Sequence, residues 1–221
     1  MIPISDENPK GFIPFVNYLI IAINIFVFAF QIYTGQDPDQ FYAHFGLIPA
    51  NLTQHGFDPS EFLKIFTSMF VHGGIMHLAG NMLYLWIFGD NIEYTIGHKR
   101  YFIFYLIAGI GAALLQIIFN PDSLIPMVGA SGAISGVLGA YLIKYPRNRI
   151  SVLFFFIIII RIIKIPAVIV LSFWFLIQLY NGYTMQMSEG DTGGVAWFAH
   201  IGGFVAGFVL IKLFEYYPKY K

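Results

Sequence analysis

The sequence predicts an all-α polytopic membrane protein with six transmembrane helices and both termini in the cytoplasm, on three observations. Of 221 residues, 57% are hydrophobic and 19% aromatic, while only 11% are charged. A typical soluble domain carries roughly 25% charge, so this chain has too little polar surface to cover a soluble fold of its length. Apolar runs long enough to cross ~30 Å of hydrocarbon, about 20 residues of helix, recur along it. Lys and Arg collect on one side of the membrane once six spans are assigned.

A single domain over 1–221 is expected, opening with a short cytoplasmic segment, 1–12. MIPISDENPKGFIP holds two acids and one lysine, and no small-residue cleavage site follows the first apolar run, 13–33. That run is expected to stay as an anchor. The loop 34–65 is longer than a plain connector and rich in aromatics suited to the membrane interface, so it is expected to be ordered. Spans at 71–89, 101–119 and 125–143 follow.

The region 151–181 reads less simply. VLFFFIIII is nine residues, roughly 14 Å as helix, and runs into Arg161, Lys164 and Pro166. It is expected to be a re-entrant or interfacial loop whose two cations reach headgroups, followed by a spanning helix from Pro166 to Tyr180. The last span is 195–214. With six spans, Lys10, Lys99, Arg100, Lys144, Arg147, Arg149, Arg161, Lys164, Lys212, Lys219 and Lys221 share one side, and Lys64 alone is opposite. Both termini are then cytoplasmic, and the loops 34–65, 120–127 and 182–194 face outward. Seven spans would scatter these cations.

Zero formal net charge gives no reason to expect a nucleic-acid partner. The absence of cysteine excludes disulfides, thiolate metal sites and cysteine catalysis.

Polar side chains inside hydrocarbon are costly and so are functional candidates. FVHGGIMHLAGNMLYLW carries His72, His77 and Asn81; IPMVGASGAISG carries Ser131 and Ser135; WFAHIGGFVAG carries His200. If each helix starts at the outer end of its span, Ser131 lies roughly 9 Å deep and His200 roughly 8 Å. His77 and Asn81, four residues apart on one helix face, fall at a similar depth. Taken singly, each has an ordinary explanation: a serine beside glycine packs helices, and a membrane histidine bonds a neighbour. The spacings Gly132 to Gly136 and Gly203 to Gly207 are ordinary close-approach devices too, yet they would let the helices of Ser131 and His200 meet.

A serine hydroxyl becomes nucleophilic beside a base that takes its proton and returns it to a leaving amine. With no acid in the outer half of any span, the arrangement is a Ser-His dyad without a third member. The backbone N–H of Ser131, the amide of Asn81 and an N–H of His77 could hold the oxyanion. Rival hydrolytic sites are poorly supplied. HExxH is absent, and Asp90 lacks the second intramembrane acid of an aspartyl site. Glu93 reads as a helix-end partner for Lys99 or Arg100.

These residues resemble the rhomboid family of intramembrane serine proteases, from first span to last. The resemblance rests on GASG around Ser131, with Gly129 and Gly132; His72-x4-His77-x3-Asn81; GDNIE and GHKR; and AHIGGFVAG around His200. It implies a six-helix fold that cleaves single-pass transmembrane substrates near the outer face of the bilayer, without metal or cofactor. It also implies Ser131 as nucleophile, His200 as base, His77 and Asn81 as oxyanion donors, and His72 as a structural contact. Ser135, Gly129, Gly132, Gly203 and Gly207 would support the site. Two positions depart from the family pattern. The first outer loop lacks a Trp-Arg pair, and Ser135 stands where many members place an aromatic under the histidine, so a Ser135 hydrogen bond to His200 is expected instead.

The expected setting is a bacterial plasma (inner) membrane. A catalytically silent relative that binds or chaperones membrane helices is the alternative, although it would be expected to lack the serine or histidine. A transporter would show inverted repeats or midplane charges, which this chain does not.

Overall fold

The computed structural model describes residues 2–9, 11–54, 58–156, 159–187 and 194–215. Lys10, Lys219, Lys221 and parts of the loops 34–65 and 182–194 lie outside the described residues.

Helix α1 (Phe15–Tyr33) opens behind Pro14, which offers no side-chain cap. Its first free N–H groups are instead met by Glu93, whose carboxylate accepts from Val16 N at 2.9 Å and Asn17 N at 2.7 Å. The same carboxylate pairs with His98 Nδ1. Glu93 is therefore not the partner of Lys99 or Arg100. An acid at a helix N-terminus both satisfies orphan donors and complements the dipole.

The described residues of loop 34–65 form short helices. These are α2 (Pro38–Phe45), α3 (Pro49–Gln54) and the start of α4 (Pro59–Thr67). Each begins with proline, whose missing N–H costs nothing there. Asp37 and Asp58 cap α2 and α4.

The chain then forms one continuous helical run, α5 (Ile75–Tyr84), a π-helical turn (Leu85–Gly89) and α6 (Asp90–Ile96). Asn17 of α1 explains the wide turn. Its Nδ2 donates to Leu85 O at 2.9 Å, and Gly89 approaches so closely that a Cβ there would stand 2.1 Å from Asn17 Oδ1. A polar side chain wedged against a helix is a common setting for a π-bulge.

α7 (His98–Phe119), α8 (Ser131–Lys144) and α10 (Trp197–Phe214) form the centre. α8 is buried without break from Gly132 to Tyr141. Backbones meet without side chains between them: a Cβ on Gly203 would lie 1.9 Å from Gly132 O, and one on Gly207 1.9 Å from Gly136 O. Small-residue seams are how helices pack where no hydrophobic effect drives them together.

The Ile-rich stretch corrects both the all-helical expectation and the re-entrant loop. β2 (Arg149–Phe156) and β3 (Ile159–Pro166) make an antiparallel hairpin, joined at its β2 edge by β1 (Ile2–Ser5). Arg149 stands opposite Pro166, and Ile2 opposite Leu153. β-branched residues favour extended backbone, and the ladder satisfies polar groups that a re-entrant loop would leave to find partners elsewhere. Asp6, just past β1, accepts from Tyr141 OH at 2.5 Å and Asn91 Nδ2 at 2.7 Å, fastening the N-terminal segment to α8 and α6. Burial pushes its carboxyl up to about 7.

α9 (Ala167–Met187) follows the hairpin and buries only Ala167, Leu171, Gln178 and Gly182. Among the described residues, α1, α7, α9 and α10 are each long and apolar enough to cross a membrane. α8, with 14 residues, is about 21 Å long. It starts later than the expected 125, because 120–130 is not helical. Leu47 and Met127 exchange backbone hydrogen bonds, and Gly129 N donates to Ser68 O, strapping this segment to the first loop and the end of α4.

Candidate active site

Ser131 is the first residue of α8, not a residue one to two turns inside it, and the non-helical strap 120–130 leads into it. His200 is in the first turn of α10. The two helices touch along the glycine seam, and Ser131 Oγ lies 2.9 Å from His200 Nε2. Both side chains line a cavity of about 1000 Å³, together with His77, Asn81, Ser135 and Gln116.

Gly129, at φ 124°, precedes the serine with backbone that favours glycine. A Cβ there would stand 2.7 Å from the His77 ring and 3.6 Å from Asn81 Nδ2. The missing methyl lets both side chains reach the strap beside Ser131. His77 Nδ1 accepts from Gly73 N at 3.4 Å, so in the neutral ring the proton sits on Nε2, beside Gly129.

His72 does not line the cavity; it is fully buried behind Asn81. Its Nδ1 lies 3.2 Å from Phe70 O, and a carbonyl only accepts, so Nδ1 carries the proton. Nε2 is then the acceptor for Asn81 Nδ2 at 2.9 Å. One amide hydrogen of Asn81 is held there, and the other is left over for the cavity.

Ser135 is not bonded to His200. Its hydroxyl donates to Ser131 O at 2.7 Å, the usual bond of a mid-helix serine to the carbonyl one turn back. The histidine ring meets Trp174 of α9, centroids 6.0 Å apart, and its Nδ1 lies 2.8 Å from Gln178 Oε1.

A family model, the rhomboid domain, matches residues 59–216. The chain belongs to the rhomboid family. Ser131, His200, His72, His77 and Asn81 all lie within the matched stretch, whereas β1, α1 and most of the first loop precede it. Rhomboid protease GluP of Bacillus subtilis (strain 168) is 35% identical over 196 residues, 88% of this chain and 34% of that protein. RHOMBOID-like protein 1 of Arabidopsis thaliana is 34% identical over 160 residues, 72% of this chain and 36% of that protein. The mitochondrial RHOMBOID-like protein 6 of the same plant is 35% identical over 151 residues, 68% of this chain and 43% of the relative. This rhomboid thus spans well under half the length of each. It is an integral multi-pass membrane protein of a family that includes intramembrane serine proteases.

Two glutamines beside His200 escape a reading based on histidine and serine. Gln116 of α7 accepts from Ala199 N at 3.1 Å through Oε1, capping the first turn of α10 beside His200. Gln178 of α9 is buried against His200 itself. Each is an amide inside an otherwise apolar span, a signal that the cost of burying polar groups in lipid makes readable.

Proposed function

We propose that this rhomboid is an intramembrane serine endopeptidase that cleaves single-pass transmembrane proteins near the extracytoplasmic face through an acyl-enzyme. The observation that carries the reading is the 2.9 Å between Ser131 Oγ and His200 Nε2 on the wall of the cavity. Ser131 Oγ attacks the scissile carbonyl carbon as its proton passes to His200 Nε2. Collapse of the tetrahedral intermediate returns that proton to the leaving amine, and a water then repeats the sequence on the acyl-enzyme.

Three donors converge on the oxyanion. As the first residue of α8, Ser131 has a backbone N–H without an intrahelical acceptor. Asn81 offers the amide hydrogen that His72 leaves free, and His77 offers Nε2–H. Such preorganised donors are worth about 10²- to 10³-fold each in rate.

The same reading takes the α5–α6 run and α8 as two further crossings, six in all, with the termini and the β-sheet cytoplasmic. α8 can be short because its missing length is protein-packed strap, the setting in which non-helical backbone is tolerated at membrane depth. A bacterial plasma membrane fits the resemblance to GluP. The substrate helix must unwind locally, since helical backbone shields its peptide bonds.

The test is cleavage of a labelled single-pass substrate in liposomes by wild type, Ser131→Ala and His200→Ala, with EDTA present. Cleavage by wild type alone, insensitive to chelator, is the expected result. Equal behaviour of all three proteins would return the chain to the helix-binding alternative.

A further inference from the structure

Gln178 decides how the His200 ring is used. Its side-chain amide is buried on α9 between two partners: Nε2 lies 3.2 Å from Trp174 O, and Oε1 lies 2.8 Å from His200 Nδ1. The Trp174 carbonyl can only accept, so the amide must turn its nitrogen that way. The opposite orientation would set two acceptor oxygens against each other and leave the NH₂ facing His200. With Oε1 toward the ring, Nδ1 has to be the protonated nitrogen. In the neutral imidazole Nε2 then carries the lone pair, and Nε2 is the atom 2.9 Å from Ser131 Oγ. The tautomer that can accept the serine proton is thus fixed by an amide one residue type away from the usual acid.

We propose that Gln178 is the positioning residue of the catalytic base. Its amide oxygen holds His200 in the tautomer and ring rotation that face Ser131, and it stays bonded to Nδ1–H when Nε2 takes the serine proton. No proton reaches Gln178 at any step; the amide dipole steadies the imidazolium in the place where triads set a carboxylate. Trp174, which accepts from the amide through its carbonyl and flanks the ring with its indole, completes the α9 support. This rests on the Ser131–His200 dyad being the reactive pair.

The experiment compares Gln178→Met, similar in length but without an acceptor for N–H, with Gln178→Glu, which keeps one. For each, kcat and KM on the labelled substrate are measured beside the rate at which a fluorophosphonate labels Ser131. Met is expected to lower kcat and the labelling rate together by about 10- to 100-fold, the loss of one hydrogen bond to a group that becomes charged, with KM within about twofold. Glu is expected to restore most of both. If the Met protein does not fold, Gln178→Asn, the same amide one methylene short of the ring, replaces it and is read identically. Wild-type kcat and labelling in Met or Asn, while Ser131→Ala and His200→Ala are inactive, would overturn the role of Gln178 alone. Activity surviving in Ser131→Ala would overturn the dyad instead, whatever Gln178 does.

Discussion

Gly203→Ala asks whether bare backbone contact sets the dyad distance. The added Cβ would stand 1.9 Å from Gly132 O, the carbonyl of the residue next to Ser131. Cβ contacts below 3.0 Å are essentially never seen, and a carbonyl inside a helix cannot swing aside without losing its own hydrogen bond. α8 and α10 must therefore part by at least 1.1 Å to bring that contact from 1.9 Å to 3.0 Å. Ser131 rides on one helix and His200 on the other, so their 2.9 Å stretches toward about 4 Å, beyond hydrogen-bond range. A misplacement of ~1 Å costs about 10²-fold in rate. Proteoliposome cleavage measures kcat, and circular dichroism checks that the helices persist. Gly80→Ala is the stability control, because its added Cβ meets nothing within 4 Å, and it should leave the unfolding midpoint unchanged or slightly raised. A Gly203→Ala enzyme within about threefold of wild-type kcat would refute the argument that the seam dictates the geometry.

Asn81→Ala should lower kcat about 10²-fold with little change in KM, as loss of one oxyanion donor does, and His72→Phe should lower it less by freeing the Asn81 amide; unaltered kcat in Asn81→Ala would take that residue out of the site. Asp6 supplies a pH dependence. Its carboxyl sits at about 7 in the folded protein against an ordinary 3.8, so the folded state binds the proton more tightly than the unfolded chain. The stability it contributes is complete below about pH 4 and is lost as pH rises through about 7. The unfolding midpoint in detergent should fall across that window in wild type and flatten in Asp6→Asn; equal slopes would count against Asp6 as the titrating group.

Ser131, His200, His77 and Asn81 were legible because a polar side chain in an apolar run has few inexpensive explanations. Gln178 gives the same signal, but its segment is more readily judged by the cations and proline at its start. The β-hairpin was obscured because nine apolar residues are too short to span as helix, and that length says nothing about whether the extended run finds ladder partners. β1 is a separate matter: Ile2 pairs with Leu153, a long-range contact without a local trace. The late start of α8 had a visible cue, since the residue before Pro126 is biased toward extended backbone. What lay beyond the sequence was the strap itself, which depends on Leu47 from the distant first loop and on Ser68 at the end of α4.

The cap on α1 also sets an order of assembly. Val16 and Asn17 donate to a carboxylate 77 and 76 residues further along the chain. At ribosomal rates of about 5–20 residues per second, Val16 and Asn17 are made roughly 4–15 s before Glu93. During that interval water or headgroups must serve its first turn. β1 waits longer still, having no strand to join until Leu153 has been made. β1 is therefore secured later than the cap on α1, only once the hairpin ahead of α9 is complete.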